Sequence, residues 1–234
     1  MLQRHLWKLL PKTQRTFLLG RLSVVDRQAV NKSMSGNTVF PAHFQQCSCL
    51  FIHVPKCAGS SVCSALFNGW APGHLPLYWY EQQFPEHYAR SFKFAFVRDP
   101  LERVYSAYAY LRGNQLPQRD ESARLLVNSY RDFDDFVGHW LHPDNIRKQL
   151  HFAPQTDFLN DSMGRMAMDF VGYQEHLERD FQLLCQHLGM TSSLPHLNIS
   201  QERRAEPVRD FCSVRTRRLV RRAYQRDYEV LGYE

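Results

Sequence analysis

Lysine is scarce in this chain: it supplies 6 of the 29 basic residues, so the formal charge of +6 is carried mostly by guanidinium groups. Arginine favours flat, bidentate contact with phosphate, sulfate or carboxylate, which points to an anionic ligand or polymer unless the charge only coats a solvated surface. No apolar run approaches the roughly 18 residues of a membrane span, and no signal-peptide pattern is present. The six cysteines lack zinc spacing: Cys47 and Cys49 stand close together, Cys57 and Cys63 follow, and Cys185 and Cys212 are isolated. No metal is therefore expected; reduced thiols and a cytoplasmic place are. Internal repeats and low-complexity segments are absent too. The three glycosylation triplets at Asn31, Asn160 and Asn198 are of a kind that arises by chance.

What is there reads as one domain. A chain of 234 residues, 44% hydrophobic and 22% charged, is long enough to build its own α/β core. Residues 1–45 form a basic arm in which "MLQRHLWKLL" has Leu2, Leu6 and Leu9 on one helical side, stopped by Pro11. Such an arm packs on the domain or touches an acidic membrane surface. From 46 to 234 the texture is that of a folded domain. "CLFIHV", from Cys49, is a continuous apolar run of strand length, and a helix follows it with Ser60 or Ser61 placed to cap. "FKFAFV" at 92–97 is a second strand, and Pro100 opens a helix striped by Leu101, Val104, Tyr105, Tyr108 and Leu111, ended by Gly113. "MAMDFVGY" predicts a third strand before a helix closed by Gly189, and an arginine-rich helix is expected over 213–228. Strand and helix alternate, which predicts a three-layer α/β fold with a central, mainly parallel sheet flanked by helices.

Ligands of such sheets sit beyond the carboxyl ends of the strands. Two turns lie there. In "HVPKCAGSS", Lys56 follows the strand, Gly59 permits close backbone approach, and Ser60 and Ser61 offer hydroxyls and amides at a helix N-terminus that favours an anion. In "FVRDPLERVYSAY", Arg98 leaves the second strand and Ser106 lies in the second turn of the next helix, a pair suited to a separate phosphate. Alone, the first turn could be structural, and Arg98 could merely pair with Asp99 or Glu102. The first turn also differs from the nucleotide-triphosphatase loop, whose lysine follows the last glycine and precedes a metal-binding Ser/Thr. A kinase acting on a small alcohol and a non-catalytic basic module binding anions or glycans are the alternative readings.

Together, in order and about 40 residues apart, the turns resemble the two signature segments of the sulfotransferases that use 3′-phosphoadenosine 5′-phosphosulfate (PAPS). The likeness is closest to the carbohydrate sulfotransferases, the group of heparan sulfate 2-O-sulfotransferase and the chondroitin enzymes. "DFVGYQEHLERDFQLLCQHLG" and "LPHLN" are in keeping with it, and the likeness covers residues 49–234. It implies a P-loop-like fold, PAPS as co-substrate released as adenosine 3′,5′-bisphosphate, and no metal or nucleic acid. It further implies that Lys56 contacts the phosphosulfate and its bridging oxygen. Cys57, Ala58, Gly59, Ser60 and Ser61 would wrap the 5′-phosphate, and Arg98 and Ser106 would hold the 3′-phosphate. Cys57 stands where many members have threonine, which leaves backbone amides for that contact and a packed, inert thiol as the expectation.

Transfer to an alcohol needs a base, and 11 histidines are present. His53 lies in strand context and reads as a satisfied structural histidine. His74, in the glycine-proline turn "GWAPGHLPLYWYEQQF", resembles the Gly-His segment carrying a catalytic histidine in the 2-O-sulfotransferase group. Glu81 is the alternative base, since some relatives use glutamate, and His151 is a third candidate; Glu81, His151 and Gln155 are also expected to shape the acceptor groove. Tyr78, Trp79 and Tyr80 could stack on sugar or lie in the core. The acceptor is expected to be a carbohydrate hydroxyl, an anionic polysaccharide included. Animal relatives are Golgi enzymes, which makes the Golgi lumen the alternative compartment.

Overall fold

The apolar runs pair as their composition requires. In the computed structural model, which describes residues 7, 9–36, 38–113, 116–194 and 206–234, strands β1 (Cys49–Ile52), β2 (Phe92–Val97) and β3 (Phe170–Tyr173) form one parallel sheet in the order β1-β2-β3. All four residues of β1 and the last four of β2 are buried, as expected of strands covered on both faces. β1 stops two residues short of its apolar run, because Pro55 has no amide to continue the ladder and turns the chain away. β3 starts later than its apolar run suggests: Met166 instead bridges Asn160 in antiparallel fashion, and Asp169 receives the Lys93 amide at 2.7 Å.

The helices include α1 (Lys12–Gly20), α2 (Val24–Met34), α3 (Gly59–Phe67), α4 (Pro100–Leu111), α5 (Leu177–Leu188), α6 (Val214–Ala223) and α7 (Gln225–Leu231), with further helices and helical turns between them. Asp99 caps α4 by accepting the Glu102 amide at 2.9 Å, and Gly189 closes α5 in the left-handed conformation, φ 62°. Neither serine caps α3. Its N-cap is Ala58, at φ 59°, and the helix begins at Gly59. The single arginine-rich helix expected over 213–228 is instead two, broken at Tyr224. The break lets the buried Tyr224 hydroxyl donate to the Phe152 carbonyl at 2.6 Å while Asp227 turns inward on the next helix.

One apolar core is built on the sheet, with Phe44, Phe51, Phe67, Phe94 and Phe181 among its members; a second surrounds α4 and includes Phe136, Phe152, Val220 and Tyr224. The basic arm docks from Ser23 onward. Val25, Ala29, Phe40 and Phe44 enter the first core, and the Tyr78 hydroxyl and Trp79 indole donate to Asp26 and Ser33 at 2.7 and 2.9 Å. Trp79 and Tyr80 are thereby core residues, whereas Leu9 and Phe17 are exposed. Most of "MLQRHLWKLL", the last four residues of "LPHLN" and Arg203–Arg204 lie outside the described residues. Among the described residues no helix is long and apolar enough to cross a membrane.

Candidate active site

The parallel register brings the exits of β1 and β2 to the same edge, so the two turns meet as neighbours. In the first, Lys56 and Ala58 have positive φ, 68° and 59°, and Cys57 between them does not. Such alternation turns successive amides toward one point and forms an anion-binding concavity. The Gly59 and Ser60 amides have no acceptor among the described residues. Ser60 is exposed, and Ser61 is buried with its amide on the Ala58 carbonyl at 3.1 Å. Gly59 is dictated by close approach: a Cβ there would lie 2.0 Å from Nε2 of His53. Cys57 is buried; its thiol faces Gln155 Oε1 at 3.3 Å, and burial pushes its pKa up to about 12. It is a packed thiol, not a reactive one.

In the second turn, Arg98 reaches Glu102 at 3.6 Å, while its Nε is buried without a partner among the described residues. The pairing with Glu102 thus leaves binding capacity unused. Glu102, Ser106 and Tyr110 are spaced four apart and share a face of α4, with Ser106 half-buried between the others. Arg98 meets this face at Glu102. Lys56 meets it at Tyr110, its ammonium 4.2 Å from the ring centroid. Two cations are so arrayed along roughly 12 Å of helix, with a hydroxyl between them. Burial, then Arg98, lower the Lys56 pKa to about 8.

His74 joins this site. Its Nδ1 lies 2.8 Å from the His53 carbonyl, which can only accept, so Nδ1 carries the proton and Nε2 the lone pair. Burial holds its pKa below the ordinary value. His151 is close enough to His74 to perturb it electrostatically and is itself perturbed by Lys56, though burial is the chief cause that lowers its pKa. His53 is not the satisfied histidine expected: its Nδ1 is buried and unpartnered among the described residues, and burial with His74 drives its pKa to about 3.

Two expected acceptor residues have other surroundings. Gln155 is wholly buried; its amide accepts from the Arg98 N–H at 2.9 Å and donates to the Arg98 carbonyl at 2.8 Å, while also receiving the Cys57 thiol. It braces one anion turn against the other and presents no surface to an acceptor. Glu81 accepts the Ser162 amide at 2.7 Å and interacts with Tyr88, beside the entry of β2, far along the strand from Arg98. The sequence reading missed Asp120, buried between Tyr110 and His151 and bonded to both at 3.0 Å. No local pattern marks it. Among the described residues no cluster suited to a metal ion occurs. Arg209, Arg217, Arg218 and Arg221 line a cavity of about 530 Å³, but Asp99, Glu102, Asp210 and Glu234 line it too, so its side-chain charges balance.

Residues 72–234 match the sequence model of the Sulfotransferase family, a match that starts after the Lys56 turn and includes Arg98, Ser106 and His74. Human and mouse carbohydrate sulfotransferase 14 are each 31% identical over 107 residues, 41% of this chain and 27% of theirs, so the matched stretch is about a quarter of those relatives. An uncharacterized protein of Archaeoglobus fulgidus is 28% identical over 102 residues, 43% of this chain and 70% of its own. No solved structure gives a significant match. The family match covers well over half of the chain and takes in the second anion turn and the histidine beside it, and on that ground the chain belongs to the sulfotransferase family.

Proposed function

We propose that the protein transfers a sulfuryl group from PAPS to a carbohydrate hydroxyl, releasing adenosine 3′,5′-bisphosphate. The observation that carries this reading is the array along α4: Arg98 at one end, Lys56 at the other, Ser106 between them, and the His74 lone pair nearby. Arg98 and Ser106 take the 3′-phosphate, and the Lys56–Ser60 amides take the 5′-phosphate. His74 Nε2 removes the acceptor hydroxyl proton as that oxygen attacks sulfur. The bond from sulfur to the 5′-phosphate oxygen breaks, and Lys56 neutralises the charge that builds there. With a pKa near 8, Lys56 is mostly protonated at neutral pH, as this task requires. The carbohydrate acceptor is carried over from the relatives named carbohydrate sulfotransferase. The cytoplasmic placement rests on six free cysteines, with the Golgi lumen as the alternative.

The test is incubation with PAPS and a panel of neutral and anionic glycans, read by mass spectrometry for sulfated product. Lys56→Ala should cost roughly a hundredfold to a thousandfold in turnover, the usual loss for one preorganised charge donor, with cofactor affinity much less changed. A folded Lys56→Ala protein that turns over normally would remove Lys56 from the mechanism. Absence of sulfated product across the panel, with no slow hydrolysis of PAPS, would sink the reading.

A further inference from the structure

Asp120 is the carboxylate common to the surroundings of Lys56, His74 and His151. Its Oδ1 accepts from His151 Nε2 and its Oδ2 from the Tyr110 hydroxyl, both at 3.0 Å. Tyr110 carries the Lys56 ammonium on its ring, so one buried carboxylate anchors what touches Lys56 from α4 and the side chain of His151 as well. The backbone of His151 is fixed independently. The wholly buried Arg103 donates to the carbonyls of His151 and Ala153 at 3.3 and 2.7 Å, and Tyr224 donates to the carbonyl between them. With the main chain clamped, only rotation of the imidazole is left to set, and Asp120 sets it. A carboxylate can only accept, so His151 holds its proton on Nε2 and its lone pair on Nδ1, an atom buried without a partner among the described residues.

We propose that Asp120 is a positioning residue for the transfer, holding Tyr110 against the Lys56 ammonium and His151 beside it through the two oxygens of one carboxylate. Its meaning for turnover rests on the sulfuryl-transfer reading; the geometry does not. Lys56 is faced by Arg98 from the β2 turn, Tyr110 from α4, Asp120 and His151 from the loops, and Cys57 from its own turn. Burial and then Arg98 lower the Lys56 pKa, and Cys57 and then Asp120 oppose them, Asp120 as the one carboxylate of this set.

Asp120→Asn tests this, because it keeps size and an acceptor oxygen but removes the charge. Turnover should fall about tenfold to a hundredfold, the scale of a small misplacement of reacting groups, with adenosine 3′,5′-bisphosphate affinity held within about threefold. The basic limb of the turnover profile should move to lower pH. His151→Asn should cost a similar factor, and the double variant little beyond the larger single loss. Independent losses that multiply, or an Asp120→Asn turnover within about twofold of the parent, would overturn the proposal.

A second readout needs no activity. In nitrogen NMR of the histidine rings, the His151 pKa should drop in Asp120→Asn, and an unmoved titration would also overturn the proposal. If the parent protein transfers no sulfuryl group yet His151 shifts as stated, the positioning geometry stands and the reaction assigned to it falls. Should Asp120→Asn fail to fold, Tyr110→Phe frees one carboxylate oxygen while keeping the ring. The His151 pKa should then rise, and no rise would count against the proposal.

Discussion

At Arg98 and His74 the surroundings bear directly on the proposed roles. Arg98 has a buried Nε with no partner among the described residues and a long contact to Glu102, so an arriving phosphate gains a charge-assisted bond without displacing a tight ion pair. Arg98→Ala should weaken adenosine 3′,5′-bisphosphate by about 1.5–3 kcal/mol, the worth of one hydrogen bond to a charged group. Calorimetry with a nucleotide lacking the 3′-phosphate gives the control: that ligand should lose little, and equal losses would move Arg98 off the 3′-phosphate. His74 must be neutral to act as a base, and burial lowers its pKa, so the acidic limb of turnover is expected below the ordinary histidine value of about 6.5. His74→Asn should bind nucleotide normally, lose roughly a hundredfold in turnover and lose that limb. A variant that keeps both would shift the base to His151, since Glu81 lies toward the other end of β2 and is engaged by Ser162.

The element that decides the first anion turn is the junction of β1 and α3. The His53 ring packs directly under Gly59, and the turn bends through left-handed Lys56 and Ala58 to lift α3 over it. Gly59→Ala drives a Cβ into a half-buried ring, and should cost about 1–3 kcal/mol of stability as overpacking. Denaturant midpoints check this; His53→Ala should restore part of the loss in the double variant, and an unchanged midpoint for the single variant would contradict the packing. A second junction supports the first. Asp227 on α7 accepts from the amides of Gln155 and Thr156 and from the Thr156 hydroxyl at 2.7–3.0 Å, and Gln155 in turn ties Cys57 to Arg98. The C-terminal helix therefore holds the two turns in register from below.

For the whole molecule, three depressed histidines make stability depend on pH. His53, His74 and His151 are kept neutral chiefly by burial, the first down to a pKa of about 3. In the unfolded chain each takes up a proton near pH 6.5, so the unfolded state binds more protons below that value. Stability is therefore full above about pH 6.5 and is lost as pH falls, by up to about 1.4 kcal/mol per unit for each histidine. Asp99 and Asp157, whose pKa values burial raises, act in the opposite sense, their contribution falling as pH rises above the ordinary carboxylate value. The Tm should fall between pH 7 and 5, and His53→Gln should flatten the slope; a flat profile in the parent protein would show that these rings titrate normally.

The sequence by itself determined the sheet, because "CLFI" and "FKFAFV" are apolar at every position or nearly so, and only a strand covered on both faces accommodates that. It also marked the two turns at the strand exits, whose lysine, glycine, arginine and hydroxyls lie within short, ordered stretches of chain. The tertiary structure decided the rest. Gln155 reads as a polar groove residue until Cys57 and Arg98 close around it, and Tyr224 breaks a helix of good local pattern because its hydroxyl reaches Phe152. Asp120 meets His151 across 31 residues and Tyr110 across 10. Local propensity carries no record of such pairings, since they are fixed only when separate elements pack and bury a charge that must then find its partners.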